Sequence, residues 1–228
     1  MKRLSIQCAW AVLVLMSLPA CEGEKILVAN FNGNTIGQAP AQNQEVGTVR
    51  VDGLSGNCTV EKINGLTPNW VRVLRPNIPN TVTGLQGTAI QAKGPGEYTF
   101  TTTLYIPDGD GVATVQFEPH NQAVQQYTNF LHIDFLADNK VRVNVDPNKT
   151  FGSFPRNQPF ILQVVLNIQP NGSSADISLS GANATGQMNV TGLINQFAMQ
   201  FGSIRVWMGF PWVGQFYATN MVLRYKAP

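Results

Sequence analysis

His132 and Asp134 stand two residues apart in the run Leu131-His132-Ile133-Asp134-Phe135. On a strand that spacing puts both side chains on one face, where a carboxylate can orient an imidazole for proton transfer. Glu118 is a second carboxylate that could serve the same ring. These three residues are the only acid/base set the sequence suggests, because His120 follows Pro119 in a turn and reads as peripheral. The short acidic turn Asp108-Gly109-Asp110-Gly111 offers Asp108 and Asp110 as weak calcium candidates. Calcium wants several clustered oxygens, and Asp-Gly is also ordinary hairpin chemistry. No Cys or His spacing suggests zinc, and no other cofactor is implied.

The elements that must position these groups are strands. From Glu24 onward no helix-period run exceeds about two turns. Period-two alternation recurs instead, over residues 97–106, 112–118, 128–136, 140–145, 160–168, 175–179, 203–208 and 215–225. Turn chemistry such as Asp138-Asn139 and Pro170-Asn171-Gly172 separates the runs. Only residues 193–201 read as a weak helical turn. The expectation is an all-β, antiparallel two-sheet β-sandwich.

Alternation also assigns sides. Ala113, Val115 and Phe117 point inward, with Thr114, Gln116 and Glu118 outward. Leu131, Ile133 and Phe135 point inward, with His132 and Asp134 outward. Val141, Val143 and Val145 point inward, with Arg142 and Asn144 outward. Ile204, Val206 and Met208 point inward, with Arg205 and Trp207 outward. If these strands are neighbours, Gln116, Glu118, His132, Asp134, Arg142, Asn144, Arg205 and Trp207 share one outer face. The solvated side of any amphipathic sheet would look similar. Beyond Trp207, Gly209-Phe210-Pro211-Trp212-Val213-Gly214 puts two rings in a Gly/Pro-bounded loop. The loop either packs back on the sheet edge or, with Trp212, extends an exposed platform.

Residues 1–20 have the zones of an export signal. Lys2 and Arg3 are basic, and residues 9–18 form an apolar core about ten residues long, too short to span a bilayer. Leu18-Pro19-Ala20-Cys21 resembles a bacterial lipoprotein signal with Cys21 as acyl acceptor; cleavage after Ala20 or Gly23 without acylation is the rival. Residues 21–228 then form a single domain, exported to a bacterial cell envelope or beyond, with membrane contact through a lipid anchor only. If Cys21 is acylated, Cys58 is a lone, buried thiol; if not, a Cys21–Cys58 disulfide is the alternative. The chain is 43% hydrophobic and only 12% charged, against about 25% charged in average soluble proteins. Removing Lys2 and Arg3 with the signal leaves 13 basic against 13 acidic residues. A neutral chain rich in Asn, Gln, Thr and Ser gives no electrostatic basis for nucleic-acid binding. Its five Asn-x-Ser/Thr sequons, at Asn57, Asn148, Asn171, Asn183 and Asn189, read as products of that composition.

Three stretches resemble the concanavalin A-like (laminin-G-like) jelly roll. Phe31-Asn32-Gly33 running into Gly37-Gln38-Ala39-Pro40 is similar to the F-x-G-x-x-x-G-x-x-P opening of bacterial members. Residues 160–168, with Asn171-Gly172 and residues 175–179, resemble the family's long hairpin. Phe216-Tyr217-Ala218-Thr219-Asn220-Met221-Val222-Leu223 resembles its closing Y-x-D-N-V-x-V strand, with Thr219 in place of Asp. The resemblance covers nearly the whole exported part. It implies a polysaccharide or glycan partner on the outer sheet face, where rings cover sugar C–H surfaces and forked donors meet hydroxyls. The family's hydrolases typically carry Glu-x-Asp-x-x-Glu, which is absent. Its lyase-like relatives typically show Arg-x-Glu-x-Arg and Gln-x-His. Here Arg72-Val73-Leu74-Arg75 lacks the Glu, and Leu131-His132 lacks the Gln. Non-catalytic glycan binding is therefore the leading expectation. A polysaccharide lyase or glycoside hydrolase using His132 with Asp134 or Glu118 is the alternative, and a purely structural adhesion module is the third.

Overall fold

The computed structural model describes residues 22–109, 112–120, 131–181, 183–193, 201–209 and 211–228. Among them are fifteen strands and no helix: β1 (Glu24–Ala29), β2 (Thr48–Asp52), β3 (Cys58–Glu61), β4 (Trp70–Arg75), β5 (Thr83–Lys93), β6 (Gly96–Tyr105), β7 (Ala113–Pro119), β8 (Leu131–Phe135), β9 (Val141–Val143), β10 (Thr150–Phe151), β11 (Pro159–Ile168), β12 (Ser173–Ser180), β13 (Gln187–Leu193), β14 (Phe201–Met208) and β15 (Gly214–Lys226). One sheet runs β13-β12-β11-β6-β15-β4-β3, with β1 also paired to β15. The other runs β10-β9-β8-β7-β14-β5-β2. All pairings are antiparallel.

The core lies between the sheets and is built by the alternation. In β6 the even positions Tyr98, Phe100, Thr102 and Leu104 are buried, while the odd ones are part-exposed. Across the gap Phe100 meets Phe117 edge-on at 5.6 Å, Tyr98 meets Phe201 at 4.8 Å and Phe135 meets Phe160 at 5.3 Å. Such offset and edge-on rings fill a sandwich core without voids. Cys58 is a free, buried thiol whose Sγ donates to the Gly84 carbonyl at 3.5 Å. Burial pushes that thiol up to about 12, the wrong direction for reactivity. Among the described residues no helix is long and apolar enough to cross a membrane. The signal segment, Cys21, Asp110, Phe210 and most of the weak helical stretch lie outside the described residues.

One side assignment is corrected. Val145 was expected to point inward, yet it is 55% exposed. The strand stops at Val143, and Asn144 and Val145 both take positive φ, 53° and 59°, in the turn that follows. Alternation cannot be carried through residues in the left-handed region, because the pleat has ended.

Candidate functional site

The register of the seven-stranded sheet lines its outward residues into rungs. One rung reads His132, Gln116, Arg205, Gln86 and Arg50 across β8, β7, β14, β5 and β2. Its neighbour reads Arg142, Asp134, Thr114, Trp207, Gly84 and Asp52. Glu118 lies opposite Ser203 on the next. The strands carrying the expected face are therefore adjacent, and the face is one surface.

Its acidic groups are engaged by neighbouring protein donors rather than presented to solvent. Gln116 is 2% exposed, and Glu118, Asp134 and Gln86 are also buried. Gln116 Nε2 donates to Glu118 Oε1 at 2.7 Å, and Gln86 Nε2 donates to Glu118 Oε2 at 3.0 Å and to Ser203 Oγ at 2.8 Å. Burial raises the Glu118 carboxyl above its ordinary range; Arg205 opposes the shift and Asp52 adds to it.

Asp134 shows the opposite balance. Thr114 Oγ1 donates to its Oδ1 at 2.9 Å, and Arg142 donates to Oδ2 through Nη2 at 2.9 Å and Nε at 3.3 Å. His132 Nε2 stands 3.0 Å from Oδ1, off the ideal hydrogen-bond line. Burial alone would raise this carboxyl, but the His132 contact and the Arg142 and Thr114 bonds outweigh it and hold it low. Among the described residues nothing bonds the second ring nitrogen, Nδ1. Asn144 plays a supporting part: its Oδ1 accepts the His132 backbone N–H at 2.9 Å, and its own side chain is exposed.

Trp207 takes the outward phase, yet it is packed. A Cβ on Gly84 would lie 2.4 Å from the Trp207 Cβ, and one on Gly209 would lie 2.2 Å from its six-membered ring. Two glycines thus let the indole lie down on the sheet. Its ring meets that of His132, with centroids 6.2 Å apart and planes at 31°. The indole Nε1–H is buried with no hydrogen-bond partner among the described residues, an uncommon state for a tryptophan. Trp212 is 40% exposed on the turn after β14, and its N–H donates to the Gly209 carbonyl at 3.0 Å. Its carbonyl accepts from Arg75 Nη1. The same buried guanidinium also donates to the Thr81 and Ile78 carbonyls, at 2.9 and 3.2 Å, tying two loops together. Among the described residues the ring that meets Trp207 is that of His132, not Trp212.

Sequence reasoning missed β2 and β5, and with them Arg50, Asp52 and Gln86. Asp52 receives Arg50 Nη2 at 3.1 Å and lies 3.2 Å from Arg205 Nε. The signal was weak because β5, with the sequence TGLQGTAIQAK, is buried on both faces over its first five residues and shows no alternation there. His120, read as peripheral, lies against Gly202 at the end of this face, and its Nε2 is 2.9 Å from the Ala89 carbonyl. Asp108 is exposed, with its backbone N–H donating to Asn157 Oδ1 at 3.0 Å. Among the described residues no group of three or more His, Cys, Asp or Glu could hold a metal.

No protein-family model and no curated protein sequence matches the chain. Solved structures do. Arcelin-5, a lectin-like defense protein from Phaseolus vulgaris, superposes with a TM-score of 0.52 at 9% identity, over 91% of this chain and 100% of that one. The catalytic domain of a glycoside hydrolase family 131 protein from Coprinopsis cinerea gives 0.56 at 11%, over 90% and 96%. Trypanosoma rangeli sialidase gives 0.52 at 12%, over 90% of this chain but 31% of that one. At these identities the likeness is one of fold: the chain is a concanavalin A-like jelly roll of two antiparallel sheets.

Proposed function

We propose that the outer face of the seven-stranded sheet binds a glycan without cleaving it, and that the protein does so as an exported envelope lipoprotein. The observation that carries the binding reading is the tile formed by Trp207 and His132. It offers the flat surface of an indole and an imidazole whose planes lie at 31°. Sugars carry apolar C–H faces that stack on such a tile. The neighbouring folds include a lectin-like protein and glycoside hydrolases, whose names point to sugar ligands. The non-catalytic part rests on the carboxylates. Both oxygens of Asp134 and both of Glu118 are engaged by protein donors, which leaves neither poised as nucleophile or acid.

One observation favours a second reading, proton transfer by His132. Its Nε2 is set against Asp134 while Nδ1 has no bond among the described residues, the arrangement of an oriented general base. A glycan array followed by turnover assays on the hits separates the two. Binding without product, unchanged in kind by His132→Ala, supports the binding module. Product formation lost in His132→Ala establishes the enzyme, and silence on the array removes both.

A further inference from the structure

Resting on the glycan-binding reading, we infer that the ligand is an acidic polysaccharide whose uronate carboxylate is received by the guanidinium fork of Arg205. Arg205 occupies the middle of the central rung, opposite Gln116 on one side and Gln86 on the other. Its Nε is turned inward, 3.2 Å from Asp52 Oδ2 and 3.8 Å from Glu118 Oε1. Neither Nη group donates to a protein acceptor among the described residues.

That sets Arg205 apart. Arg50, Arg72, Arg75, Arg142, Arg156 and Arg224 each commit at least one Nη to a carboxylate or carbonyl of this chain. Arg205 alone among the described arginines faces carboxylates through Nε only, as ion-pair contacts, with its two-pronged end unassigned among the described residues. A guanidinium held in this way loses little further freedom on pairing, and its planar fork matches a carboxylate with two parallel hydrogen bonds.

The rest of the recognition lies on the same strand. Trp207 follows two residues on, which places its indole on the same face about 7 Å along the strand. An acidic sugar seated there would put its carboxylate on Arg205 and stack an apolar ring face on the Trp207–His132 pair. A neutral sugar would use the indole and leave the fork to water. The raised carboxyl of Glu118 also lowers the local cost of a second anion, because it gives up charge more readily than an ordinary glutamate.

Calorimetric titration of the full-length exported chain tests this with tetragalacturonate, with the same tetramer after carboxyl reduction, and with a sulfated neutral tetramer. The acidic tetramer should bind about tenfold or more tighter than its reduced form. Arg205→Gln should bring the two within about twofold, through loss of affinity for the acidic tetramer. Arg205→Lys retains the charge without the fork and should recover only part of the preference. It also serves as the second variant if Arg205→Gln melts early. Equal binding of acidic and reduced tetramers by the parent overturns the uronate assignment and leaves glycan binding standing. Tighter binding of the sulfated tetramer than of the uronate overturns it too, in favour of charge alone. No binding of any tetramer by the parent overturns both this inference and the reading beneath it.

Discussion

Trp207 and His132 stand on strands that are not neighbours, yet their rings meet 6.2 Å apart across β7. The meeting requires that nothing on β5 or at the end of β14 lifts the indole, and Gly84 and Gly209 satisfy that condition. The same imidazole stands 3.0 Å from Asp134 Oδ1, so one side chain joins the aromatic surface to the buried carboxylate.

Replacing Trp207 tests its ring as a stacking surface. Trp207→Phe keeps a smaller aromatic face and should weaken glycan binding by no more than about 1 kcal/mol. Trp207→Ala removes the ring and should cost about 1–3 kcal/mol of affinity. Calorimetry with an array-identified glycan checks this, and unchanged affinity in both variants would remove Trp207 from the site.

Gly84→Ala should destabilise the fold by about 1–3 kcal/mol, because the new methyl falls 2.4 Å from the Trp207 Cβ and 2.8 Å from the Val206 carbonyl oxygen. Gly33→Ala is the control: nothing lies within 4 Å of its added Cβ. Its unfolding free energy from urea titration should match that of the parent to within about 0.5 kcal/mol.

The two carboxyls should leave opposite marks on the pH dependence of stability. Asp134 is held below its ordinary 3.8, so the native state keeps its charge longer than the unfolded chain does. That contribution is whole above 3.8 and is lost as pH falls through the lowered native value. Glu118 lies above its ordinary 4.5, so its contribution is whole below 4.5 and is lost as pH rises through the raised value. Asp134→Asn should therefore flatten the acid limb of a urea-midpoint profile. Glu118→Gln should flatten the decline on the rising side. Profiles parallel to that of the parent would show that neither group carries this linkage.

Acylation at Cys21 is expected to appear as a diacyl or triacyl mass addition on the membrane-fraction protein. A soluble mature chain beginning at Cys21 or Glu24 without that mass ends the lipoprotein reading.

Where one side of a strand is apolar, the sequence shows the side plainly. Val115 and Phe117 against Gln116 and Glu118, or Ile204 and Val206 against Arg205 and Trp207, keep their phase in the structure. It fails where burial is two-sided, as at Leu85, Gln86 and Gly87, and where the chain leaves the pleat, as at Asn144 and Val145. It also cannot show that Gln116 and Glu118 would bond each other. A polar residue in outward phase looks the same in sequence whether it meets solvent or a partner on the next strand.

Glu22 is ion-paired to Arg224 at 2.9 Å, and a Cβ on Gly23 would lie 2.4 Å from the Tyr225 carbonyl oxygen. The chain therefore enters the sandwich with no slack. A lipid on Cys21 would grip the body at the end bearing Gly96 and Lys226, which pairs with Glu97. Trp212 and Arg75 sit at the other end, where β15 begins beside β4. The nine residue steps of β6 alone span about 31 Å of that separation. The distance over which the tile could catch a passing polymer would then be the height of the fold itself, and lengthening the chain between Cys21 and Glu24 would convert a fixed post into a swinging one.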